Sequence, residues 1–142
     1  MEHKKHVGVY SIINDNNKIL LIHKGRGPYT GLLDLPGGSI EINEKATEAL
    51  IREIQEETGY TLTKHAINTF LTNYVEFTEE NKTKVMDHYG AIYNVEVDLE
   101  SQVKTEGDGE DSLGAEWFDI DSLDLEKLSP FVKHVVNQLK NE

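Results

Sequence analysis

Apolar residues along the chain fall mostly into short β-type runs, and two stretches carry a helical repeat instead. Val7–Ile13 and Lys18–His23 are rich in β-branched and aliphatic residues. The cluster Asn14-Asp15-Asn16-Asn17 between them tolerates left-handed backbone, so the pair predicts a hairpin. Gly25–Gly31 reads as a loop. Leu32–Leu35 reads as a short strand ended by Pro36, which has no N–H to continue a ladder. After a Gly37-Gly38 turn, Ser39–Ile42 reads as extended, Asn43 as a helix cap, Glu44–Thr58 as the helix and Gly59 as its stop. Two long β-type stretches follow, Ala66–Thr78 and Val85–Asp98, joined by the polar turn Glu79–Lys84 into a second hairpin. Glu100–Leu113 is an acidic loop and Gly114–Phe118 a last short strand. Ser129-Pro130 opens a C-terminal helix whose apolar stripe is Phe131, Val135, Val136 and Leu139.

Strands, one helix, a long hairpin, a strand and a second helix predict an α+β fold, an α/β/α sandwich with a mixed sheet and a helix on each side. Strands arranged in hairpins exclude a simple βαβ repeat. No internal repeat, linker or low-complexity tract interrupts the chain, so residues 1–142 read as one domain of a size that buries a real core.

The first helix has an unusual wheel. At about 100° per residue, Ala46, Ala49, Leu50 and Ile54 share one face. Glu57 points into that face and Glu53 lies beside it, while Lys45, Glu48, Arg52 and Gln55 take the opposite side. Many acidic helices are simply solvated. Carboxylates aimed along an apolar side are different, because an unpaired buried charge costs several kcal/mol or more.

Composition narrows the partners. A formal net charge of −12 argues against DNA or an anionic membrane surface, which need a basic footprint. A small anionic substrate stays open if a metal neutralises its charge. The absence of cysteine rules out disulfides, a thiolate nucleophile and thiolate zinc sites. With no signal-peptide pattern and no apolar run near the length of a membrane span, the expectation is a soluble cytoplasmic protein. A homodimer is compatible with the sequence.

The carboxylates supply the candidate chemistry. Five fall between Glu44 and Glu57, and Glu53, Glu56 and Glu57 sit at i, i+3 and i+4 on adjoining turns. Three oxygen-donor side chains this close suit a hard divalent cation, Mg²⁺ or Mn²⁺. Mg²⁺ completes its shell with waters and substrate phosphates, so the cluster also implies a phosphate substrate. Gly37 and Gly38 permit close backbone approach of a ligand. Lys24 and Arg26 are the basic residues nearest before the cluster and are candidates for phosphate oxygens. Tyr29, Tyr74 and Trp117 are candidates for stacking on a base, although lone aromatics more often belong to a core.

Gly38, five residues, Glu44, seven residues, then Arg52-Glu53-Ile54-Gln55-Glu56-Glu57-Thr58-Gly59 resembles the Nudix box, with all seven fixed letters at the family spacing. Tyr60 stands where the family usually has an aliphatic residue, a packing position. The resemblance implies the sandwich fold over nearly the whole chain and Mg²⁺-dependent hydrolysis of a nucleoside diphosphate linked to some group X. It implies metal ligands at Glu53, Glu56 and Glu57, with the Gly37 carbonyl a further one. Glu44 and Arg52 become supporting residues, Arg52 orienting the box carboxylates. The family's general base is either a box glutamate, here Glu53, or an acid in a later loop. MutT-type members place that acid about six positions before a Trp, which from Trp117 gives Asp111, with Glu110 adjacent. MutT-like purine readers carry an Asn just before the last helix, where this chain has Ser129. The rival reading is a non-catalytic Nudix-type nucleotide or sugar-phosphate sensor, and the intact box counts against it.

Overall fold

The computed structural model describes residues 1–100, 106–107 and 112–142. Its elements are β1 (Glu2–Ile12), β2 (Asn14–Asp15), β3 (Lys18–Lys24), β4 (Leu33–Asp34), β5 (Gly37–Ser39), α1 (Ala46–Thr58), β6 (Leu62–Glu79), β7 (Lys82–Val97), β8 (Ser112–Asp119) and α2 (Pro130–Lys140). They form an α+β sandwich built on two four-stranded sheets. One sheet has the order β5-β1-β7-β6. In the other, β3 is flanked by β2, β4 and β8. The first sheet is mixed, since β1 runs parallel to β7 and antiparallel to β5.

Strand alternation divides the core between the helices. On β3, Ile19 and Leu21 join Phe131, Val132, Val135 and Val136 of α2. Leu20 and Ile22 face the other way and pack with Ala49, Leu50 and Ile54 of α1. Val9 and Tyr10 on β1 are divided in the same manner, as a period of two requires. Leu50 and Ile54 are fully buried, and each contributes about 1.5–3 kcal/mol by leaving water.

Three local expectations need correction. β1 and β3 do not pair along their length. β1 lies between β5 and β7, and only Asn14–Asp15 turns back on Lys18–Ile19, through Asn16 and Asn17 at φ 49° and 62°. The polar cluster thus makes a tight turn that also passes the chain between sheets. The β6–β7 hairpin is real but longer than expected, closing through Glu80 and Asn81 alone, at φ 53° and 63°. Asn43 is not the helix cap. It sits at φ 65°, Lys45 is the N-cap, and Glu44 belongs to the preceding turn. Glu48 accepts from the Lys45 N–H at 2.9 Å, satisfying one donor at the helix start. Among the described residues, no helix is long and apolar enough to cross a membrane.

Candidate active site

Two glycines let β5 approach both β1 and α1. Gly37 pairs with Tyr10 at φ 153°. A Cβ there would collide with the Val9 carbonyl and lie 2.7 Å from the Tyr10 Cα, so no side chain fits. A Cβ on Gly38 would lie 2.8 Å from the Glu53 carboxyl. The strand-end turn is therefore pressed against the acidic side of α1.

The apolar stripe of α1 fixes the helix rotation and with it the carboxylates. Glu57 is buried, and its Oε1 accepts the Gly37 N–H at 2.6 Å. Arg52 binds the others. Its Nε and Nη2 donate to the two Glu44 oxygens at 2.8 and 2.9 Å, and Nη2 also reaches the Ser39 carbonyl at 3.0 Å. Its Nη1 donates to Glu53 at 2.9 Å and to Glu56 at 3.4 Å. Glu44 lies off the helix, yet its carboxylate is paired edge-on with Arg52.

These contacts set the charge states. Hydrogen bonds from Arg52 and the Glu41 N–H hold Glu44 down to about 2. Burial pushes Glu53 up, against the pull of Arg52. Burial pushes Glu57 up further, and the neighbouring Glu53 charge adds to it, with the Gly37 N–H opposing. Buried Asp34 is raised by desolvation, and Lys24 is the largest influence lowering it. The Lys24 charge also lowers Glu53 and Glu57, so one cation serves three carboxylates.

A cavity of about 1250 Å³ opens in front of the box. Lys24, Arg26, Gly37, Gly38, Arg52, Glu53, Glu56 and Glu57 all line it, so most residues singled out in the sequence meet there. Trp117 does not. It pairs with Leu20 on β8, donates from Nε1 to the Tyr60 hydroxyl at 3.2 Å, and lines a separate depression with Asp15, Asn16 and Lys18. Its assignment to substrate binding is therefore withdrawn; core packing on the α1 side accounts for it. Tyr74 stands 60% exposed on β6. Glu110 and Asp111 lie outside the described residues.

Several cavity residues carry little or no weight in the sequence reading, among them Asp34, Tyr10, His88 and Lys4. Asp34 gives a faint signal, a carboxylate inside the run Leu-Leu-Asp-Leu. Its Oδ1 accepts from the Leu35 N–H at 2.9 Å and from the Ser129 hydroxyl at 2.8 Å. Tyr10 and His88 sit on opposite sides of the parallel β1–β7 register and meet side chain to side chain, Tyr10 Oη 2.6 Å from His88 Nε2. Nothing local in the sequence marks that encounter. Lys4 lines the cavity from the extra N-terminal length of β1.

The donor set fits a hard divalent cation chemically: clustered carboxylates, of which Glu57 is buried and Glu53 partly buried, both raised chiefly by desolvation. Among the described residues, no three acidic or histidine side chains converge on one point as arranged here. Glu53 and Glu56 turn to Arg52, and Glu57 to the Gly37 N–H.

The chain belongs to the NUDIX domain family, whose model matches residues 2–139. It is 33% identical over 117 residues to an ADP-ribose pyrophosphatase of Methanocaldococcus jannaschii, a match spanning 82% of this chain and 63% of that protein. It is 30% identical over 132 residues to a putative 8-oxo-dGTP diphosphatase of Bacillus subtilis, covering 92% of this chain and 76% of the relative. Among solved structures, a MutT NUDIX hydrolase from Burkholderia pseudomallei superposes with a TM-score of 0.63 at 25% identity, over 95% of this chain and 98% of that one. The NUDIX domain of Shewanella oneidensis NrtR, solved with ADP ribose, gives 0.64 at 17% identity, over 96% of this chain and 87% of that one, a likeness of fold alone.

Proposed function

We propose that the chain is a metal-dependent hydrolase that cleaves the pyrophosphate bond of a nucleoside diphosphate linked to a further group X. The observation carrying this reading is the convergence of Glu53, Glu56, Glu57, Gly37 and Gly38 on one cavity wall, with Lys24 and Arg26 also lining the cavity. The names of the relatives, ADP-ribose pyrophosphatase and 8-oxo-dGTP diphosphatase, support a nucleotide substrate. The cavity exceeds the roughly 300–1,000 Å³ usual for small-ligand sites, which favours a two-ended substrate.

In this reading Glu53, Glu56, Glu57 and the Gly37 carbonyl would hold Mg²⁺ or Mn²⁺, which would supply Lewis-acid stabilisation of the diphosphate's negative charge. Lys24 and Arg26 bind outer phosphate oxygens and set the diphosphate in line. Arg52, fixed by Glu44, orients the Glu53 carboxylate. Glu53 takes the proton of the attacking water at a carboxylate oxygen, and its burial makes it the more basic. Glu110 and Asp111 remain the alternative base. Nucleotides are cytoplasmic solutes, so a cytoplasmic setting goes with this reading.

Glu53→Gln tests it. The variant is expected to fold and to lose roughly 10²–10⁴ in rate, measured as phosphate release over a nucleotide panel with Mg²⁺ and Mn²⁺. Full rate on every nucleotide would defeat the assignment of Glu53. The sensor reading predicts nucleotide binding with no turnover in the unmodified chain.

A further inference from the structure

The floor of the cavity holds a hydrogen-bond count that does not close. Tyr10 and Tyr29 present their hydroxyls to the two nitrogens of one imidazole, His88, at 2.6 Å from Nε2 and 2.9 Å from Nδ1. A neutral imidazole has one N–H and one lone pair, so it accepts from one tyrosine and donates to the other. A charged imidazole donates to both and accepts from neither. In either state at least one hydroxyl hydrogen has no acceptor within the trio. Asn73 does not take it, because its amide Nδ2 donates to the Tyr29 oxygen at 3.1 Å. Neither hydroxyl has another partner among the described residues. Burial keeps His88 neutral, with its pKa down to about 3, so one hydrogen is left over. Both tyrosines are nearly buried, 4% and 5% exposed, and both line the cavity. A buried donor without an acceptor is unfavourable, and a ligand that accepts from it is favoured.

The surroundings define the acceptor. Phe131 stacks on His88 with centroids 4.4 Å apart and meets Tyr10 edge-on at 5.6 Å, so the floor is aromatic. Among the described residues only His88 and Asn73 hydrogen-bond the two hydroxyls, and neither contact brings a cation to them, so a neutral acceptor suits this floor better than a phosphate oxygen. We infer that the Tyr10–His88–Tyr29 trio is a specificity element that donates one hydroxyl hydrogen bond to a neutral ring nitrogen or carbonyl oxygen on the substrate's nucleobase. The inference rests on the nucleotide-hydrolase reading for its substrate class and goes beyond it in assigning which residues read the base.

The test crosses variants with analogues. The preferred substrate from the nucleotide panel is compared with analogues that each lose one acceptor, a ring nitrogen replaced by C–H or a carbonyl oxygen removed. The unmodified protein is expected to lose about tenfold or more in kcat/KM on one analogue, mostly through KM. Tyr10→Phe and Tyr29→Phe, each checked by thermal melting, are then assayed on the same pair. In at least one, the parent-to-analogue ratio is expected to fall below about twofold. A packing role would slow parent and analogue alike and keep the ratio. The inference is overturned if the unmodified protein cleaves every analogue like the parent, or if both folded variants keep the ratio. If no nucleotide is cleaved at all, the hydrolase reading fails on its own. The same pairs measured by equilibrium binding then decide the trio, with equal affinity for parent and analogues overturning it.

Discussion

Arg52 is where the site's charges are balanced. It donates to Glu44 through two nitrogens, to the Ser39 carbonyl, and to Glu53 and Glu56 through the third nitrogen. A planar fork does this and an ammonium does not. Arg52→Lys is expected to lower kcat/KM about 10- to 100-fold, the usual range for a residue that orients ligands, with the melting temperature little changed. Gly38→Ala makes a sharper demand. Its Cβ would stand 2.8 Å from the Glu53 carboxyl, so Glu53 must move while the backbone need not. A folded protein with activity reduced at least tenfold is expected, read from paired melts and rate assays. The residues tied to a fixed spacing, Glu53, Glu56, Glu57, Arg52 and Gly38, were legible in the sequence because one helix and one turn determine where they go. His88 and Tyr10 were not, because 78 residues separate them and only the strand register makes them neighbours. Trp117 was misread for the opposite reason. A bulky aromatic near an acidic loop looks like a base platform until Tyr60 is found beside it.

The elements fared unevenly for physical reasons. Both helices carry clear stripes and stood out, while the start of α1 was misplaced by two residues. Asn43 can cap a helix and can also take left-handed backbone, and the turn through Glu41 and Glu44 selects the second use. Strand partners were harder, since a run such as Val7–Ile13 shows its period but not its neighbour. The junction of β4 and α2 depends on a contact of that long-range kind. Ser129 donates its hydroxyl to Asp34 at 2.8 Å and its N–H to the Leu33 carbonyl at 2.9 Å, docking the start of α2 on the strand that leads to the box. Ser129→Ala keeps the backbone bond and removes the other. It is expected to destabilise the protein by about 1–3 kcal/mol, the cost of weakening a buried polar group's satisfaction, seen as a lower midpoint in urea unfolding. An unchanged midpoint would mean that water replaces the hydroxyl.

Burial disfavours the charged forms of several ionisable groups, and that makes stability depend on pH in two opposing ways. His88 is 3% exposed, and burial, with the His6 and Lys24 charges adding to it, lowers its pKa from 6.5 to about 3. Tyr10, Tyr29 and Phe131 enclose the ring from β1, the 25–31 loop and α2. The unfolded chain therefore binds a proton near pH 6.5 that the folded chain refuses until about pH 3. Stability from this group is complete above pH 6.5 and falls on acidification through that window, by at most about 1.4 kcal/mol per pH unit. Asp34, Glu53 and Glu57 have raised values and act in the other direction, since the folded protein holds their protons more tightly and gains on acidification. The measured curve of the unmodified protein is the sum of both. His88→Gln removes the histidine contribution and leaves the carboxylates in place. The difference in unfolding free energy, unmodified minus variant, is expected to be flat above pH 7 and to shrink steadily from pH 6.5 to pH 4.5. A difference that stays constant across that range would show that His88 takes up its proton alike in the folded and unfolded chains, against the effect of its burial.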